Sequence, residues 1–591
     1  MKHLFTLNRY FNKYKKKLLL GILFVILSNI FRVLQPQAIR EALNRILDFI
    51  QSDKGQMQKE QLYSELMKFG FYIFGFALLM GLFMYMMRQT IIVMSRLIEY
   101  DLRKDIFQHY LKLDTAFYQQ NKTGDLMSRI TEDVNKVRMY LGPALLYGIN
   151  LISLVLIVII TMFKVNFMLS LYTLLPLPFL SFIIYWVSNK INKKSEKIQQ
   201  QLARLTTVSQ ESFSGIRIIK SYGMEANWKR DLGENAKQYK DLYLGLSRID
   251  ALFFPSMLLL IGLSTLITIF VGGLNVYNGT VTPGNIAEFV IYVNMLTWPV
   301  SALGWCVSII QQAEASQKRI NDFLQAKSEI ESNGPQKLPG SSYDIEFENI
   351  NFQYPGSKIK ALTNFSVSIP KGSRVAIVGK TASGKTTLAE LLLRLYDPSS
   401  GTIKLGGQNL KNIQVELLRK QIAYVPQDVF LFSESIEDNI AFGIESPEPQ
   451  LVKKAATYAS VATEIEEFPE GYTSILGERG VNVSGGQKQR ISLARAFIKD
   501  SPIIVLDDCL SAVDSQTEQR IMESFDTYLS GKTLILITQR LKQTAHMDKI
   551  LVLEDGKLVQ SGNFETLVKE KGLFSQLYEI EIKAENNIQE K

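Results

Sequence analysis

A glycine-rich segment between an apolar run and a helix is the first place where this sequence could do chemistry. Gly379-Lys-Thr-Ala-Ser-Gly-Lys-Thr-Thr387 follows the strand-like run Val375–Val378, and we expect a helix from Leu388. The spacing is G-x-x-x-x-G-K-T in a strand–loop–helix context. Glycines let backbone N–H groups approach phosphate closely, and the helix N-terminus adds partial positive charge. The residues expected to bind a nucleotide are Gly379, Lys380, Thr381, Ala382, Ser383, Gly384, Lys385, Thr386 and Thr387.

Several polar positions elsewhere in the same half of the chain accompany this loop. Alternating apolar residues predict a strand over 345–354 that ends at Tyr354. Asp507 and Asp508 end the apolar run that begins at Ile503. The remaining segments are Tyr424-Val-Pro-Gln427, Gly477-Glu-Arg-Gly480, Val483-Ser-Gly-Gly-Gln-Lys-Gln-Arg490, Ser511-Ala-Val-Asp514 and Ile537-Thr-Gln-Arg540.

In this order, the segments resemble the motifs of ATP-binding-cassette (ABC) exporters, from about residue 13 to about residue 578. The resemblance implies ATP and Mg²⁺ as ligands, with Lys385 reaching the β- and γ-phosphates. It implies that Tyr354 stacks on adenine and that Thr386, Gln427 and Asp507 hold Mg²⁺. It also implies that the signature residues Ser484, Gly485, Gly486 and Gln487 cap the γ-phosphate of an ATP bound by the other subunit.

Two positions depart from the family pattern, and both belong to the same bound nucleotide. Asp508 stands where the family has the Glu that activates water. A carboxylate shorter by one methylene lies about 1 Å from the required position, which can cost ~100-fold in rate. Gln539 stands where the family has the switch His, and an amide cannot become cationic to stabilise developing charge. We expect Asp508, Gln539 and Gln427 to be the catalytic residues of this weakened site.

The departures have a consequence for assembly. In this chain the segments that resemble the family's Walker motifs are the loop Gly379–Thr387 and the run that ends at Asp507 and Asp508. Each ATP in an ABC dimer lies between one chain's Walker motifs and the other's signature. This chain would weaken the site on its own Walker motifs and complete its partner's site with Ser484–Gln487. That pattern resembles one subunit of heterodimeric bacterial exporters, so we predict a second, different half-transporter as partner. Two alternatives stay open: a homodimeric exporter or lipid flippase with two slow sites, and a regulatory subunit that binds ATP without turnover.

The N-terminal half carries six apolar runs, near 18–47, 69–97, 141–163, 165–188, 251–276 and 285–310. Each is long enough for a membrane span of about 20 residues. The loops 98–140 and 189–250 are long and rich in Lys and Arg. By the positive-inside rule, these loops, both termini and the nucleotide domain are cytoplasmic in a cell inner or plasma membrane. The loops also resemble the intracellular helices through which ABC exporters couple to their nucleotide domains.

Bulk properties restrict the other possibilities. The net charge is +9, but basic membrane loops account for it and no nucleic-acid-reading motif is present, so no nucleic-acid partner is expected. The only two cysteines, Cys306 and Cys509, predict neither a disulfide nor a metal site. Aromatic and Met residues in the spans suit small amphipathic or hydrophobic substrates such as drugs, lipids or peptides, between which the sequence does not decide.

We therefore predict an all-α six-helix transmembrane domain at 1–315, a linker at 316–342, an α/β P-loop cassette at 343–580 and a polar tail at 581–591. The predicted function is ATP-driven export of an amphipathic or hydrophobic substrate across a lipid bilayer by an ABC dimer. Hydrolysis is expected mainly at the composite site built on the partner's Walker motifs.

Overall fold

The computed structural model describes residues 2–51, 57–332 and 343–589, which form two compact units. One unit comprises Met1–Leu111 and Thr123–Ala326, and the other comprises Lys112–Lys122 and Lys327–Lys591. The boundary expected at residue 315 falls inside a helix that ends at Leu324, because Ile320 and Phe323 are still buried there. Residues 333–342 of the expected linker lie outside the described residues.

The first unit is helical throughout its described residues. A 3₁₀ turn at His3–Leu7 precedes its helices, and π-helical turns at Arg129–Asp133 and Tyr140–Ala144 join three of them. The helices of the first unit are α1 (Asn8–Lys13), α2 (Lys15–Gln51), α3 (Met57–Tyr110), α5 (Thr123–Ser128), α6 (Val134–Met139), α7 (Leu145–Val165), α8 (Phe167–Leu174), α9 (Pro176–Ser214), α10 (Ile216–Ser221), α11 (Glu225–Tyr277) and α12 (Pro283–Leu324). Helix α4 (Thr115–Gln120), which lies between α3 and α5 in the chain, belongs to the second unit.

Among the described residues, five helical stretches are long and apolar enough to cross a membrane. They are Lys15–Ile50, Glu60–Tyr110, Thr123–Val165, Glu225–Tyr277 and Pro283–Leu324. The expected fourth run is not among them, because it is divided at Leu175 between α8 and α9. Pro176 follows directly and has no N–H to continue the helical ladder, which accounts for the division.

Polar residues within the apolar runs have different surroundings. Asn29 is buried, and its Nδ2 donates to Ser153 Oγ at 2.7 Å and to Asn150 O at 3.3 Å. Glu288 is also buried and takes part in an ion pair with Arg40 at 3.0 Å. Asn294, by contrast, is exposed and donates to the backbone of its own helix. The first two groups are satisfied inside the bundle, as burial in a membrane requires.

The second unit is an α/β domain with two sheets. A four-stranded antiparallel sheet has the order β2-β1-β4-β5, and a six-stranded sheet has the order β10-β9-β3-β8-β7-β6, parallel except for β10. The strands are β1 (Ile345–Gln353), β2 (Lys360–Ile369), β3 (Arg374–Gly379), β4 (Ser400–Leu405), β5 (Gln408–Asn409), β6 (Ile422–Val425), β7 (Ile503–Asp507), β8 (Thr533–Ile537), β9 (Lys549–Glu554) and β10 (Lys557–Gly562).

Nine helices besides α4 accompany these strands within the described residues. They are α13 (Lys385–Leu392), α14 (Val415–Lys420), α15 (Ile436–Ala441), α16 (Pro449–Tyr458), α17 (Ala462–Glu466), α18 (Gly485–Ile498), α19 (Ser515–Tyr528), α20 (Phe564–Lys569) and α21 (Leu573–Gln589), with 3₁₀ turns at Leu410–Asn412, Gly471–Thr473, Glu478–Gly480 and Leu541–His546. Helix α21 runs through most of the expected polar tail.

The parallel part of the larger sheet determines where the chemistry lies. Strands β7 and β8 are buried at every position, and their register pairs Asp507 with Ile537. Asp508 and Gln539 therefore follow neighbouring strand ends at one edge of the sheet, where Gly379 ends β3. Ligand sites of open α/β sheets form at this carboxyl edge.

Candidate nucleotide-binding site

The phosphate loop joins β3 to α13, as its sequence predicted, but α13 begins at Lys385 rather than at the expected Leu388. Gly379 has φ 151°, and a Cβ there would lie 2.1 Å from the carbonyl oxygen of Leu553. Only glycine fits both the backbone conformation and this close approach. Lys385 begins α13 and is buried. The loop thus turns sharply and presents Lys385 at the helix N-terminus.

The amino group of Lys385 is held against its own loop. Its Nζ donates to the carbonyl oxygens of Gly379 and Lys380, each at 2.8 Å. Burial lowers the pKa of Lys385, while the charges of Asp507 and Asp508 oppose that shift. The side chain of Lys380 points to a different partner, Glu554, at 2.7 Å.

The two carboxylates after β7 have different surroundings. Asp507 is buried, and this burial raises its pKa from 3.8 to about 6, with Asp508 adding to the rise and Thr386 opposing it by a hydrogen bond. Asp508 is half-buried and has φ 46°, a left-handed conformation that few residues other than glycine adopt. Gln427 Nε2 donates to Asp508 Oδ2 at 3.4 Å. Burial also raises the pKa of Asp508.

Tyr354 lies beside the phosphate loop and is fixed by polar partners that the sequence reading did not identify. Its hydroxyl donates to Glu390 Oε2 at 2.5 Å and lies 2.9 Å from Thr387 Oγ1. Burial raises the pKa of both Tyr354 and Glu390. The sequence could have indicated Glu390, because it lies three residues after Thr387 on the helix that follows the phosphate loop, so that the two side chains share one face.

These residues enclose one cavity of about 310 Å³, which we call the Walker pocket. Its lining includes Tyr354, Gln427, Gln539, the two aspartates and the stretch from Thr381 to Thr387. Lys360 and Ala361 also line it, although nothing in their sequence context marked them. The structure therefore brings together the predicted residues Thr381–Thr387 and both departures from the family pattern, whereas Gly379 and Lys380 are not part of the lining.

The signature residues Ser484–Gln487 are not part of that lining. They cap helix α18: Ser484 Oγ accepts from the backbone N–H of Gln487 at 3.2 Å, and Gln487 Oε1 accepts from that of Ser484 at 2.9 Å. Ser484 and Gly485 are exposed. The signature thus presents a well-formed helix N-terminus at the surface of the described chain, which suits an anion from outside it.

A second set of contacts holds the body of α18. Arg490 binds both carboxylate oxygens of Glu464, at 2.5 and 2.9 Å, and Gln487 Nε2 donates to the same carboxylate at 3.0 Å. Gln489 Nε2 donates to Ser511 Oγ at 3.0 Å, and Gln489 Oε1 accepts from the backbone N–H of Ala512 at the same distance. These bonds link the signature helix to the segment Ser511–Asp514.

The segment after β8 connects to the same region. The side chain of Gln539 is exposed, and Arg540 next to it forms an ion pair with Glu518. Arg540 Nη2 also donates to Ser511 O at 2.8 Å. The charge of Arg540 favours the ionised form of Asp508 and so opposes the burial that raises its pKa.

A helical membrane-spanning unit joined to a P-loop unit defines an ATP-dependent membrane transporter. Family comparison agrees: residues 18–300 match the ABC transporter transmembrane region, and residues 362–511 match the ABC transporter family. The chain therefore belongs to the ABC transporters, as a half-transporter with one membrane region and one ATPase region.

Individual relatives are similar over most of their length. The probable multidrug resistance ABC transporter ATP-binding/permease protein YheI of Bacillus subtilis is 34% identical over 82% of this chain and 83% of its own. The ATP-dependent lipid A-core flippase of Syntrophus aciditrophicus is 32% identical over 82% of this chain and 80% of its own. A bacterial Atm1-family ABC exporter with ATP bound is 26% identical, with a TM-score of 0.77 over 95% of this chain and 98% of that one. The chain is accordingly an ATP-hydrolysing, multi-pass membrane exporter of this family.

Proposed function

We propose that this chain is the subunit of a heterodimeric ABC exporter whose own Walker pocket mainly binds ATP, while its signature completes the hydrolytic site of a different partner. The observation that carries the proposal is the distribution of sequence changes. Asp508 and Gln539 both line the Walker pocket, whereas Ser484–Gln487 lies outside that lining and keeps the full family pattern. A chain drifting towards general loss of activity has no reason to confine its changes to one of the two regions.

The residues of the pocket fit ATP and Mg²⁺. Ser383 Oγ is buried and makes no hydrogen bond within the described part of the chain, so it is a ready donor to a phosphate oxygen. Lys385 supplies positive charge, and Thr386, Gln427 and Asp507 supply the oxygen ligands that Mg²⁺ prefers. When bound, Mg²⁺ neutralises charge on the transferred phosphoryl group.

The proposed slow turnover follows from two side chains. Asp508 is the group that would accept a proton from the attacking water, but its carboxylate is one methylene shorter than glutamate and is held by Gln427. Gln539 donates a hydrogen bond to the γ-phosphate without the positive charge of an imidazolium. ATP in this pocket therefore holds the two nucleotide domains together, and hydrolysis in the partner's pocket resets the transporter.

The membrane arrangement completes the proposal. The long basic loops, the termini and the nucleotide domain lie in the cytoplasm. The intracellular helices of these loops transmit closure of the nucleotide domains to the spans. Closure opens the substrate path outward, so the transporter exports an amphipathic or hydrophobic compound across the cell membrane.

ATP hydrolysis by the full chain in lipid, alone and with a candidate second half-transporter, tests the assembly. We expect little activity from the chain alone and strong activity from the pair. In the pair, Ser484→Ala or Gly485→Trp should abolish hydrolysis, whereas Asp508→Ala should lower it only slightly. Strong activity of the chain alone would favour a homodimer, and the opposite ranking of the variants would refute the assigned asymmetry.

A gain-of-function variant provides the matched control. Asp508→Glu together with Gln539→His restores both family residues, so it should add hydrolysis at this chain's own pocket even when the partner's catalytic glutamate is replaced. If the pair turns over ATP at neither pocket, with or without this variant, the regulatory-subunit alternative is correct instead.

A further inference from the structure

Charged side chains within the six apolar runs are few, and most of them form ion pairs. The runs contain five arginines, Arg32, Arg40, Arg45, Arg88 and Arg96, and their only acidic residues are Glu41 and Glu288. A charge in the hydrocarbon region is expensive unless it is paired or faces water, so an unpaired one marks a functional position. The ion pairs of the described residues show which of these arginines have no carboxylate partner there.

Three of the five arginines have carboxylate partners. Arg40 pairs with Glu41 at 2.7 Å and with Glu288 at 3.0 Å, so it uses both acidic residues of the runs. Arg45 lies 3.6 Å from Glu65, and Arg96 lies 2.9 Å from Glu99, both outside the runs.

Arg32 and Arg88 are the two that remain. Within the part of the chain that the structure describes, neither has a carboxylate within ion-pair distance, and no acidic residue of the runs is left to supply one. Arg32 is half-buried and Arg88 is exposed. Among its described residues, the membrane unit therefore carries two positive charges that no carboxylate of the unit neutralises.

The packing of α2 on α3 shows where these charges lie along the membrane. Ser28 Oγ donates to Met80 O at 3.3 Å and Gln35 Nε2 contacts Met80 Sδ at 3.7 Å, so Arg32, between them on α2, is level with Met80. Arg88 lies eight residues further along α3, about 12 Å at the helical rise per residue. Arg96, at the end of the run, lies about 12 Å beyond Arg88. Arg88 is thus well inside the run rather than at its interfacial end.

The face of α3 that carries Arg88 is otherwise apolar and exposed. Leu78 and Tyr85 precede Arg88 at helical spacing and are 57% and 62% exposed. An apolar face of this kind could lie against lipid, but an unpaired guanidinium at that depth could not do so cheaply. This face therefore suits a solvated path with apolar walls. Phe31, which precedes Arg32 in the chain, stacks on Phe83 of α3 with the ring centroids 5.7 Å apart.

We propose that Arg32 and Arg88 recognise the charged group of the exported substrate, and that this substrate is an amphipathic anion with a phosphate or carboxylate on an apolar body. The inference rests on the exporter function proposed above. Guanidinium groups bind both kinds of anion through paired N–H donors, and the aromatic and Met side chains around them accept the apolar part. The two arginines form successive positions for the anion along the path.

Direct binding to the full chain, in the assembly that it forms in neutral nanodiscs, tests this inference. The first probe pair is dansylaminoundecanoic acid and its primary amide; the second is phosphatidylglycerol and phosphatidylcholine with the same fluorescent acyl chain. We expect the anionic member of at least one pair to bind about tenfold or more tightly than the neutral member. Preference within the first pair indicates a free carboxylate substrate, and preference within the second indicates a phospholipid headgroup.

Variants connect the preference to the two residues. Arg32→Ala and Arg88→Ala should each lower the affinity for the anionic probe about tenfold and leave the neutral probe unchanged, while the Lys variants retain most of the affinity. Arg45→Ala is the matched control, because Arg45 is paired with Glu65, and it should change neither probe. Unchanged affinity for a fluorescent ATP analogue shows that each variant is folded.

The inference is overturned if neither pair shows a preference for the anion, or if the arginine variants weaken both members of a pair equally. A carboxylate from the partner subunit that neutralises the arginines would give the first of these results. Transport of the probes on addition of ATP tests the exporter function separately. Anion-selective binding without ATP-dependent transport of either probe would contradict the exporter function and leave the anion site supported.

Discussion

The Walker pocket and the signature helix lie in the same unit, yet they are stabilised in different ways. The pocket combines residues from separate loops and buries acidic groups: burial raises the pKa of both Asp507 and Asp508, and the charge of Asp508 raises the pKa of Asp507 further. The signature helix is closed by reciprocal caps and by the Glu464 contacts to Gln487 and Arg490. The proposed assembly explains the difference: a segment that serves another chain's nucleotide must be rigid without it, whereas a pocket that binds its own nucleotide can leave charge for Mg²⁺ to neutralise.

The largest expected effect is on the pocket side, at the turn of the phosphate loop. Gly379→Ala combines a strained backbone with a Cβ that overlaps the carbonyl of Leu553, so both must move. Strain and overpacking together cost about 4 kcal/mol. The free loop relaxes to avoid this cost and ATP binding must restore the original conformation, so the ATP affinity falls about a thousandfold. A fluorescent ATP analogue bound to the full chain measures it. Gly443→Ala is the control, because its Cβ would meet only ordinary contacts at 3.6 Å, and equal losses in the two variants would contradict the explanation.

The next effect concerns pH and tests whether the buried carboxylate of Asp507 destabilises the metal-free protein. The pKa of Asp507 is raised to about 6 from 3.8, so the folded chain binds more protons than the unfolded chain between these values. Stability of the metal-free protein therefore falls as pH rises from about 4 to 6. Asp507→Asn should stabilise the cassette by about 2 to 3 kcal/mol at neutral pH and lose that advantage near pH 4. Calorimetry of the full chain with a chelator measures this difference in stability. A stabilisation by Asp507→Asn that does not change with pH would contradict a destabilising buried carboxylate at Asp507.

On the signature side, Glu464→Ala should impair the function of the signature helix without affecting the Walker pocket. It leaves Arg490, which is 9% exposed, without its carboxylate, and it removes the acceptor of Gln487. Because Glu464 is itself about one third exposed, we expect a loss of about 2 kcal/mol rather than the larger cost of a fully buried pair. Hydrolysis by the assembled transporter should fall, while binding of the ATP analogue to this chain's own pocket stays unchanged. Glu467→Ala, at an exposed neighbouring position, should affect neither. Parallel loss of both activities would show that the regions are not independent.

The smallest effect lies at the link between the two regions. Gln489→Ala removes two hydrogen bonds to Ser511 and Ala512, worth about 1 kcal/mol together because water can replace them at this exposed segment. Gln489→Glu keeps the acceptor for the Ala512 N–H and should lose about half as much. Calorimetric unfolding of the full chain distinguishes the two variants, and a larger loss for the Glu variant would contradict the assigned donor and acceptor.

Several features could be read from the sequence because they depend on local rules. The spacing from Gly379 to Thr387 requires a turn and a helix start, and β7 and the Ser484 cap follow from apolar runs and from capping chemistry. Family membership and the ATPase class were predicted correctly from the order of these motifs. The heterodimer, the substrate and the roles of the individual site residues stay predictions.

Other features depended on contacts between segments distant along the chain, which no local rule specifies. The hydrogen bond from Tyr354 to Glu390, and that from Gln489 to Ser511, need the packing of separate elements on the sheet. The same is true of the helix that continues to Leu324 and of the pairing that leaves Arg32 and Arg88 unneutralised. The sequence alone determined where the turn of the phosphate loop and the capped start of the signature helix lie, because loops and helix starts follow local backbone chemistry. Only the tertiary structure decided which side chains share a cavity and which charges find partners, because burial and pairing arise when distant segments pack together.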